Sequence, residues 1–432
     1  MNTAALRSRL TWRLVAPLTF LTFLNSIDRV NVSFAALQMN QDLGFEPEQY
    51  GFGVGLFFVG YLLCSFPHTA LLRRIGARSW ICGAVVLWGT IATALGAIQT
   101  PSQFYVLRVL LGVAESGFAP GIVFIMSQWM PQRFRALSIA GSMLAIPGSM
   151  LLGAPIAGWL LSAETHLELP GWRFLFLAEG AVTVVVGLLT PLWFVDEPEQ
   201  ARWLTPQQTR WLRDELERER RERPASEPRS LPELLRAPQL WAAAAVWFGL
   251  MSGAYGIIYW LPQVIKQLSG LRDMEVSLLS ALPWIGLGAG MLGNAWHSDL
   301  TQERHWHVAL ACLMAALGLW ASTALELGWP ALACLTVGAF GLGAAQGAFW
   351  ALPTSFLDRS VAALGLTFIT VLGSTGGLVA PMLIGVLRTR TGSFSVAVAL
   401  LGSLLCVSAL CVAGIRTPGP RVPRAGEASR GT

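Results

Sequence analysis

The stretch SQFYVLRVLLGVAESGFAPGIVFIMSQW, residues 102–129, decides the class of fold. It contains only two charged side chains, Arg108 and Glu115, and the rest of the run is mostly apolar. A helix needs about 20 mainly apolar residues to cross the hydrocarbon core of a bilayer. The stretch therefore predicts a membrane-spanning helix that carries two ionisable groups inside the membrane.

The same pattern recurs along the 432-residue chain and predicts an all-α membrane protein with twelve transmembrane helices. The apolar segments are residues 14–38, 51–72, 79–98, 102–129, 134–162, 172–195, 239–266, 275–297, 306–326, 329–355, 360–387 and 392–415. Hydrophobic residues make up 54% of the chain and charged residues 13%, where soluble domains carry roughly 25% charged residues. This composition excludes a disordered chain, a nucleic-acid binder and an ordinary soluble enzyme.

One long polar stretch, residues 196–238, separates the sixth segment from the seventh. Its helical part, RWLRDELERERRER (210–223), is charged on all sides and predicts a solvated linker. We therefore expect four parts: an N-terminal six-helix half (1–195), the linker, a C-terminal six-helix half (239–415) and a tail (416–432).

The basic residues predict which side of the membrane each loop faces. If both termini lie inside, 23 of the 30 lysines and arginines fall in inner loops and 5 in outer loops. Cytoplasmic loops of membrane proteins carry an excess of these residues. We expect both termini and the linker to be cytoplasmic, in the inner membrane of a bacterium.

The two halves repeat a motif, because GAP at 153–155 and VAP at 379–381 place their prolines 226 residues apart. Parallel repeats of six helices are typical of transporters that bind substrate between the halves at the bilayer midplane. The repeat therefore predicts a transporter with a central site.

Four charged residues inside the segments are the main candidates for that site: Asp28, Arg29, Arg108 and Glu115. A charge at mid-bilayer costs roughly 2.5–3.5 kcal/mol on insertion scales and is a functional candidate by default. Arg108 and Glu115 are seven residues apart, so they share one helix face about 10.5 Å apart along the axis. Two interpretations remain open. The four charges form a fixed ion-pair network, or they form an anion site beside a proton site.

Weaker signals come from the seventh segment and from the cysteines. Tyr255 and Tyr259 predict an aromatic wall facing a cavity, with ordinary helix packing as the alternative; His68 could reach the same pathway. We expect the six cysteines to be small buried side chains, because they lie in apolar runs without metal-ligand spacing. They are Cys64, Cys82, Cys312, Cys334, Cys406 and Cys411. The sequence thus predicts no metal, no cofactor and no enzymatic centre.

With these residues in view, the sequence resembles the major facilitator superfamily. Within it, the chain is similar to the anion:cation symporters, in the branch of tartrate, phthalate and 4-hydroxyphenylacetate permeases. The matching stretches cover nearly the whole chain. They are DRVNVSFAALQMNQDLGF (28–45), RRIGARSW (73–80), RVLLGVAESGFAPG (108–121), GWRFLFLAEG (171–180), YWLPQVIK (259–266), SDLTQERHWH (298–307) and FWALPTSFL (349–357).

The resemblance implies proton-coupled import of a small organic anion by alternating access. It assigns carboxylate binding to Arg29 and Arg108 and proton coupling to Asp28 and Glu115, with sodium as a variant of the coupling ion. We also expect a protein that acts as a monomer in the lipid bilayer, and one without a nucleic-acid partner, because its positive charges lie in loops between apolar segments. A membrane sensor that binds the ligand without transporting it is the alternative.

Several positions depart from the family pattern and lose polar groups. Ser26 stands where relatives have tyrosine, and the stretch at 145–147 reads Ala-Ile-Pro where sugar-acid members have a glutamine. Thr370 and Ser374 replace asparagines of the eleventh helix and remain candidates for contacting substrate. These changes favour an aromatic or less hydroxylated carboxylate over a polyhydroxy sugar acid.

Overall fold

The computed structural model describes residues 3–143, 145–162, 169–221, 235–301, 303–325, 328–357 and 362–415. Its regular elements are all helices, and twelve of them are long and apolar enough to cross a membrane. We number them span 1 to span 12 in chain order. They are Ala5–Asp42, Pro47–Ile75, Ala77–Leu95, Pro101–Trp129, Gly141–Leu161, Gly171–Leu192, Pro238–Gln267, Asp273–Thr301, His305–Ala324, Trp329–Thr354, Leu364–Thr391 and Ser395–Gly414. The predicted number of spans and the all-α class are confirmed.

The described part of the linker contains a short 3-10 helix, Pro198–Gln200, and an α-helix, Pro206–Arg221. Its Glu219 accepts hydrogen bonds from the Gln132 backbone and from Arg135, which lie between spans 4 and 5. Residues 222–234 of the predicted linker and the predicted tail at 416–432 lie outside the described residues.

Span 4 is interrupted directly after Glu115. Its two helices are Pro101–Glu115 and Phe118–Trp129. Pro120 explains the break, because proline has no backbone N–H to donate to the carbonyl four residues earlier, that of Ser116. The acid of the opening stretch therefore sits at a helix end in the interior of the protein, where it is fully buried.

Close helix packing within each group of six spans depends on glycine. A Cβ on Gly180 of span 6 would lie 2.9 Å from the Gly89 carbonyl oxygen of span 3. A Cβ on Gly318 of span 9 would lie 2.7 Å from the Cα of Gly338 in span 10. Small residues let helix backbones approach closely where lipid offers no hydrophobic driving force.

The two groups of six spans meet at the end of the molecule opposite the linker. Described hydrogen bonds join them there, from Gln38 Nε2 to Asp273 Oδ2 (3.0 Å) and from Tyr50 Oη to the Tyr259 carbonyl (2.9 Å). Span 2 also packs on span 11, where a Cβ on Gly51 would lie 2.5 Å from the Pro381 carbonyl oxygen. Further described hydrogen bonds between the two groups lie at the same end, from Asn40 to Gln263 and from the Glu48 backbone to Thr389, and at the centre, from Arg108 to Tyr259. The molecule is thus closed at the end opposite the linker, which we call the closed end.

The outer surface of the spans is apolar, as a lipid-facing surface requires. Large side chains such as Leu63, Leu192 and Leu410 are mostly exposed. The cysteines correct one prediction, because only Cys312 is buried and the other five are partly exposed. An apolar residue in a membrane span can face lipid, so hydrophobicity alone does not imply burial within the protein.

Candidate functional site

The centre of the first six spans holds an ion pair between Arg29 of span 1 and Glu115 of span 4. Arg29 donates from Nη2 and Nε to the same oxygen, Glu115 Oε2, at 2.8 and 3.1 Å. The second oxygen, Oε1, is buried without a hydrogen-bond partner. Arg29 remains 17% exposed, whereas Glu115 is inaccessible. The pair is therefore reachable from the arginine side, and Glu115 has a free acceptor for a proton.

Arg108 lies about two helical turns before Glu115 on span 4 and has a different environment. Its side chain is fully buried, and no carboxylate among the described residues lies within ion-pair distance of it. Nη2 donates weakly to the Tyr259 hydroxyl (3.3 Å) and the Val54 carbonyl (3.5 Å), while Nε and Nη1 have no partner. A buried guanidinium with unpartnered N–H groups retains donors for an anion.

Phe57 of span 2 connects the two arginines. The guanidinium carbons of Arg29 and Arg108 lie 5.1 and 5.0 Å from the centre of its ring. Cations are attracted to the face of an aromatic ring at this distance. The two guanidinium carbons therefore lie no more than about 10 Å apart.

An aromatic wall surrounds the arginines. Tyr255 and Tyr259 stack with ring centres 5.9 Å apart, and Phe58 packs edge-on against Tyr255 at 4.5 Å. Tyr61 adds a further ring, 5.2 Å from the Arg29 guanidinium. The structure thus brings the predicted tyrosines of span 7 to the arginines of spans 1 and 4, across the boundary between the two groups of spans.

Tyr259 also belongs to the closed end. Its carbonyl accepts from Tyr50, and its hydroxyl accepts from Arg108. One residue therefore links the contact that closes the molecule to the arginine with free donors.

The comparisons with known proteins agree with this architecture. The sequence profile described as "Major Facilitator Superfamily" matches residues 18–381. The chain belongs to the major facilitator superfamily. It is a multi-pass membrane transporter and not an enzyme.

Relatives and solved structures give the same result along nearly the full length. The transporter is 39% identical over 410 residues to a protein of Agrobacterium vitis named as a tartrate transporter, covering 95% of this chain and 94% of that protein. It is 33% identical to the metabolite transport protein NicT of Pseudomonas putida, covering 98% and 97%. The fold matches the inward-open xylose transporter XylE of E. coli with a TM-score of 0.74 at 13% identity, covering 95% and 97%.

Asp28 points away from the arginines of the transporter. Its Oδ2 accepts from the Thr183 hydroxyl of span 6 (2.8 Å) and from the Trp88 indole N–H of span 3 (3.1 Å). The four charged residues therefore do not form one network. Adjacent helix positions point about 100° apart, so Arg29 faces span 4 while Asp28 faces spans 3 and 6.

Thr370 and Ser374 lie on span 11, on the linker side of its contact with span 2. They precede Gly377 by seven and three residues, and so share its face, which meets the Phe58 ring. Thr370 is exposed and donates to the Leu366 carbonyl, and Ser374 is partly exposed. No hydrogen bond in the described part of the chain joins either residue to Arg29 or Arg108, so their contact with substrate stays a prediction.

Sequence reasoning missed one buried acid, Glu179 of span 6. It lies two turns inside the helix Gly171–Leu189 and is only 8% exposed. Both carboxyl oxygens are buried without a hydrogen-bond partner. The signal was present in the sequence, because FLFLAEGAV places a single acid between apolar residues.

Proposed function

We propose that the transporter imports an organic anion carrying a carboxylate, together with protons, by alternating access. The observation that supports this most directly is the uncompensated charge of Arg108. A buried charge without a counter-ion is costly, and a planar guanidinium matches a carboxylate with two parallel hydrogen bonds. A carboxylate that binds here supplies the missing negative charge.

Glu115 supports the coupling to protons. In the ion pair it holds Arg29 through two hydrogen bonds to a single oxygen. A proton on Glu115 removes the attraction and frees the Arg29 guanidinium for the substrate. Proton binding and substrate binding then favour each other, as linked binding equilibria require.

The aromatic wall supports an aromatic or sparsely hydroxylated carboxylate. Phe57, Phe58, Tyr61 and Tyr255 present ring surfaces beside the arginines. A second carboxylate on the same substrate would find the second arginine, and this is consistent with relatives named as tartrate transporters. The substrate class is therefore a mono- or dicarboxylate whose body packs against aromatic rings.

The orientation completes the proposal. The positive charge of the linker and of the loops on its side supports a cytoplasmic location for them, in a bacterial inner membrane. The closed end then faces outward, and the structure is inward-facing. We retain the division into two halves, 1–195 and 239–415, that rock about the central site, and we propose that the protein acts as a monomer.

Uptake into proteoliposomes tests this function. The panel contains an aromatic monocarboxylate, phthalate, tartrate, a neutral sugar and an amine, each with a pH gradient without sodium and with a sodium gradient without a pH difference. We expect a carboxylate to accumulate with the pH gradient and to leave when a protonophore is added. Accumulation with the sodium gradient alone would show that sodium, and not the proton, is the coupling ion. Transport of only neutral or cationic compounds would refute the anion proposal, and binding without transport would favour the sensor.

A further inference from the structure

A second polar cluster lies between spans 1, 3 and 6, on the side of span 1 away from the arginines. Thr183 and Glu179 are four residues apart on span 6 and share one face. Thr183 donates to Asp28, and Glu179 lies close enough to Asp28 and Asn31 of span 1 for electrostatic interaction. We call this group of Asp28, Asn31, Glu179 and Thr183 the span 6 cluster.

The span 6 cluster contains unpartnered polar atoms in the protein interior. Asn31 is 2% exposed, and both its side-chain atoms and both carboxyl oxygens of Glu179 lack a partner within hydrogen-bonding geometry. Such groups are costly when they are left unsatisfied, and they are therefore typical of a site that holds something. Among the described residues, no lysine, arginine or histidine forms an ion pair with Asp28 or Glu179.

Two buried acids without a cation cannot both stay ionised at a modest cost, because like charges in a low-dielectric interior repel strongly. Trp88 and Thr183 both donate to Asp28, and these two hydrogen bonds stabilise its ionised form. Glu179 accepts no hydrogen bond. We propose that Glu179 is a proton-binding site of the transporter, that it shares its proton with Asp28, and that this proton is moved in the transport cycle separately from the one on Glu115.

The chemistry of the neighbours favours a proton over a metal cation. The Trp88 indole N–H points at Asp28, and an N–H donor has no lone pair to offer a sodium ion. A proton needs only an oxygen with a free lone pair, and Glu179 has two oxygens without a partner. The charged group of span 1 that interacts with Glu179 is Asp28. Asp28 also interacts electrostatically with Glu115 of span 4. Two neutral side chains donate to Asp28: Trp88 of span 3 and Thr183 of span 6.

The first test measures the proton on Glu179 without any substrate. The infrared C=O band of protonated carboxyl groups is recorded for wild type, Glu179→Gln and Glu48→Gln, an exposed acid at the closed end. We expect the band at pH 7 to lose intensity in Glu179→Gln and to keep it in Glu48→Gln. Equal intensity in wild type and Glu179→Gln would show an ionised Glu179 and overturn the proposal. Loss of the wild-type band on adding sodium, but not potassium, would assign the site to sodium instead.

The second test rests on the proposed proton-coupled function and compares accumulation with counterflow. In Glu179→Gln, counterflow of the carboxylate should stay near wild type, because the central arginines are intact. Loss of one coupled proton should lower the accumulation ratio by about 50-fold per 100 mV of driving force. Glu179→Asp keeps an ionisable group and should restore the coupling.

The possible results separate the two proposals. Wild-type accumulation in Glu179→Gln would mean that this proton is never released, and would refute its part in the cycle. If Glu179→Gln does not fold, Glu179→Asp with wild-type coupling, together with a shifted carboxyl band, still supports the site. If wild type carries no carboxylate at all, the proposed function fails while the infrared measurement still decides whether Glu179 binds a proton.

Discussion

At the scale of single residues, the two central arginines have different roles because their neighbours differ. Arg29 has a counter-ion in Glu115, whereas Arg108 has an aromatic ring, a hydroxyl and a carbonyl. The first arginine is held by a group that a proton can neutralise. The second has donors left for a ligand. The site thus contains one positive charge whose counter-ion a proton can neutralise and one positive charge without a counter-ion.

Arg108→Lys should separate carboxylate binding from a purely structural charge. Lysine keeps the charge but loses the planar fork, and losing a hydrogen bond to a charged group costs on the order of 1.5–3 kcal/mol. We therefore expect affinity to fall roughly 10- to 150-fold, measured as binding and uptake of the carboxylate panel at matched membrane expression. Arg388→Lys is the control, because Arg388 also lies over an aromatic ring, that of Phe394, but at the closed end. Near-normal affinity in Arg108→Lys would refute bidentate carboxylate binding by Arg108.

Glu115→Gln should uncouple the transporter. The amide cannot take up or release a proton, and it no longer attracts Arg29 as a carboxylate does. We expect accumulation to lose the part driven by the Glu115 proton while counterflow continues, and we expect counterflow to lose the pH dependence that this proton causes. The measurement is accumulation and counterflow in the same vesicles over a range of pH. Full accumulation by this variant would exclude Glu115 from the coupling.

At the scale of elements, the sequence predicted the spans well and their neighbours poorly. Apolar run length was enough to find twelve spans, because each helix must satisfy its backbone hydrogen bonds within itself in lipid. Helical geometry also placed Arg108 and Glu115 on one face. It did not show that Asp28 faces Trp88 and Thr183, because the direction of a side chain does not reveal which helix lies opposite.

The interface of spans 2 and 11 should control which end of the molecule is closed. A side chain at Gly51 would collide with the backbone at Pro381 and Gly385. Overpacking costs typically about 1–3 kcal/mol, and a two-state transporter avoids this cost by opening the closed end. Gly51→Leu should therefore shift the population toward the outward-open state.

Spin labels on cysteines at Gln41 and Arg390, exposed positions on either side of the closed end, measure this shift. The distance between them should increase in Gly51→Leu. Gly83→Leu is the matched control, because a Cβ at Gly83 meets no atom within 4 Å. An unchanged distance in Gly51→Leu, with the protein folded and active, would show that this contact does not hold the end closed.

At the scale of the whole molecule, the basic residues and the closed end lie on opposite sides. The linker side carries most of the basic residues, and the two groups of spans meet at the other end. If the basic side is cytoplasmic, the central arginines are reached from the cytoplasm and Tyr259 lies between them and the outside. The orientation therefore decides whether the structure shows the state that releases substrate or the state that receives it.

Two single cysteines test the orientation, each in a background in which the six native cysteines are replaced. Gln207 of the linker helix and Gln99 of the loop between spans 3 and 4 are both exposed and lie at opposite ends of the molecule. A membrane-impermeant thiol reagent added to intact cells should label Gln99→Cys at once and label Gln207→Cys only after permeabilisation, because the excess of arginine retains the linker in the cytoplasm. The reverse pattern would invert the molecule. The closed end would then face the cytoplasm, the structure would be outward-facing, and the arginines would be seen in the state that captures the anion.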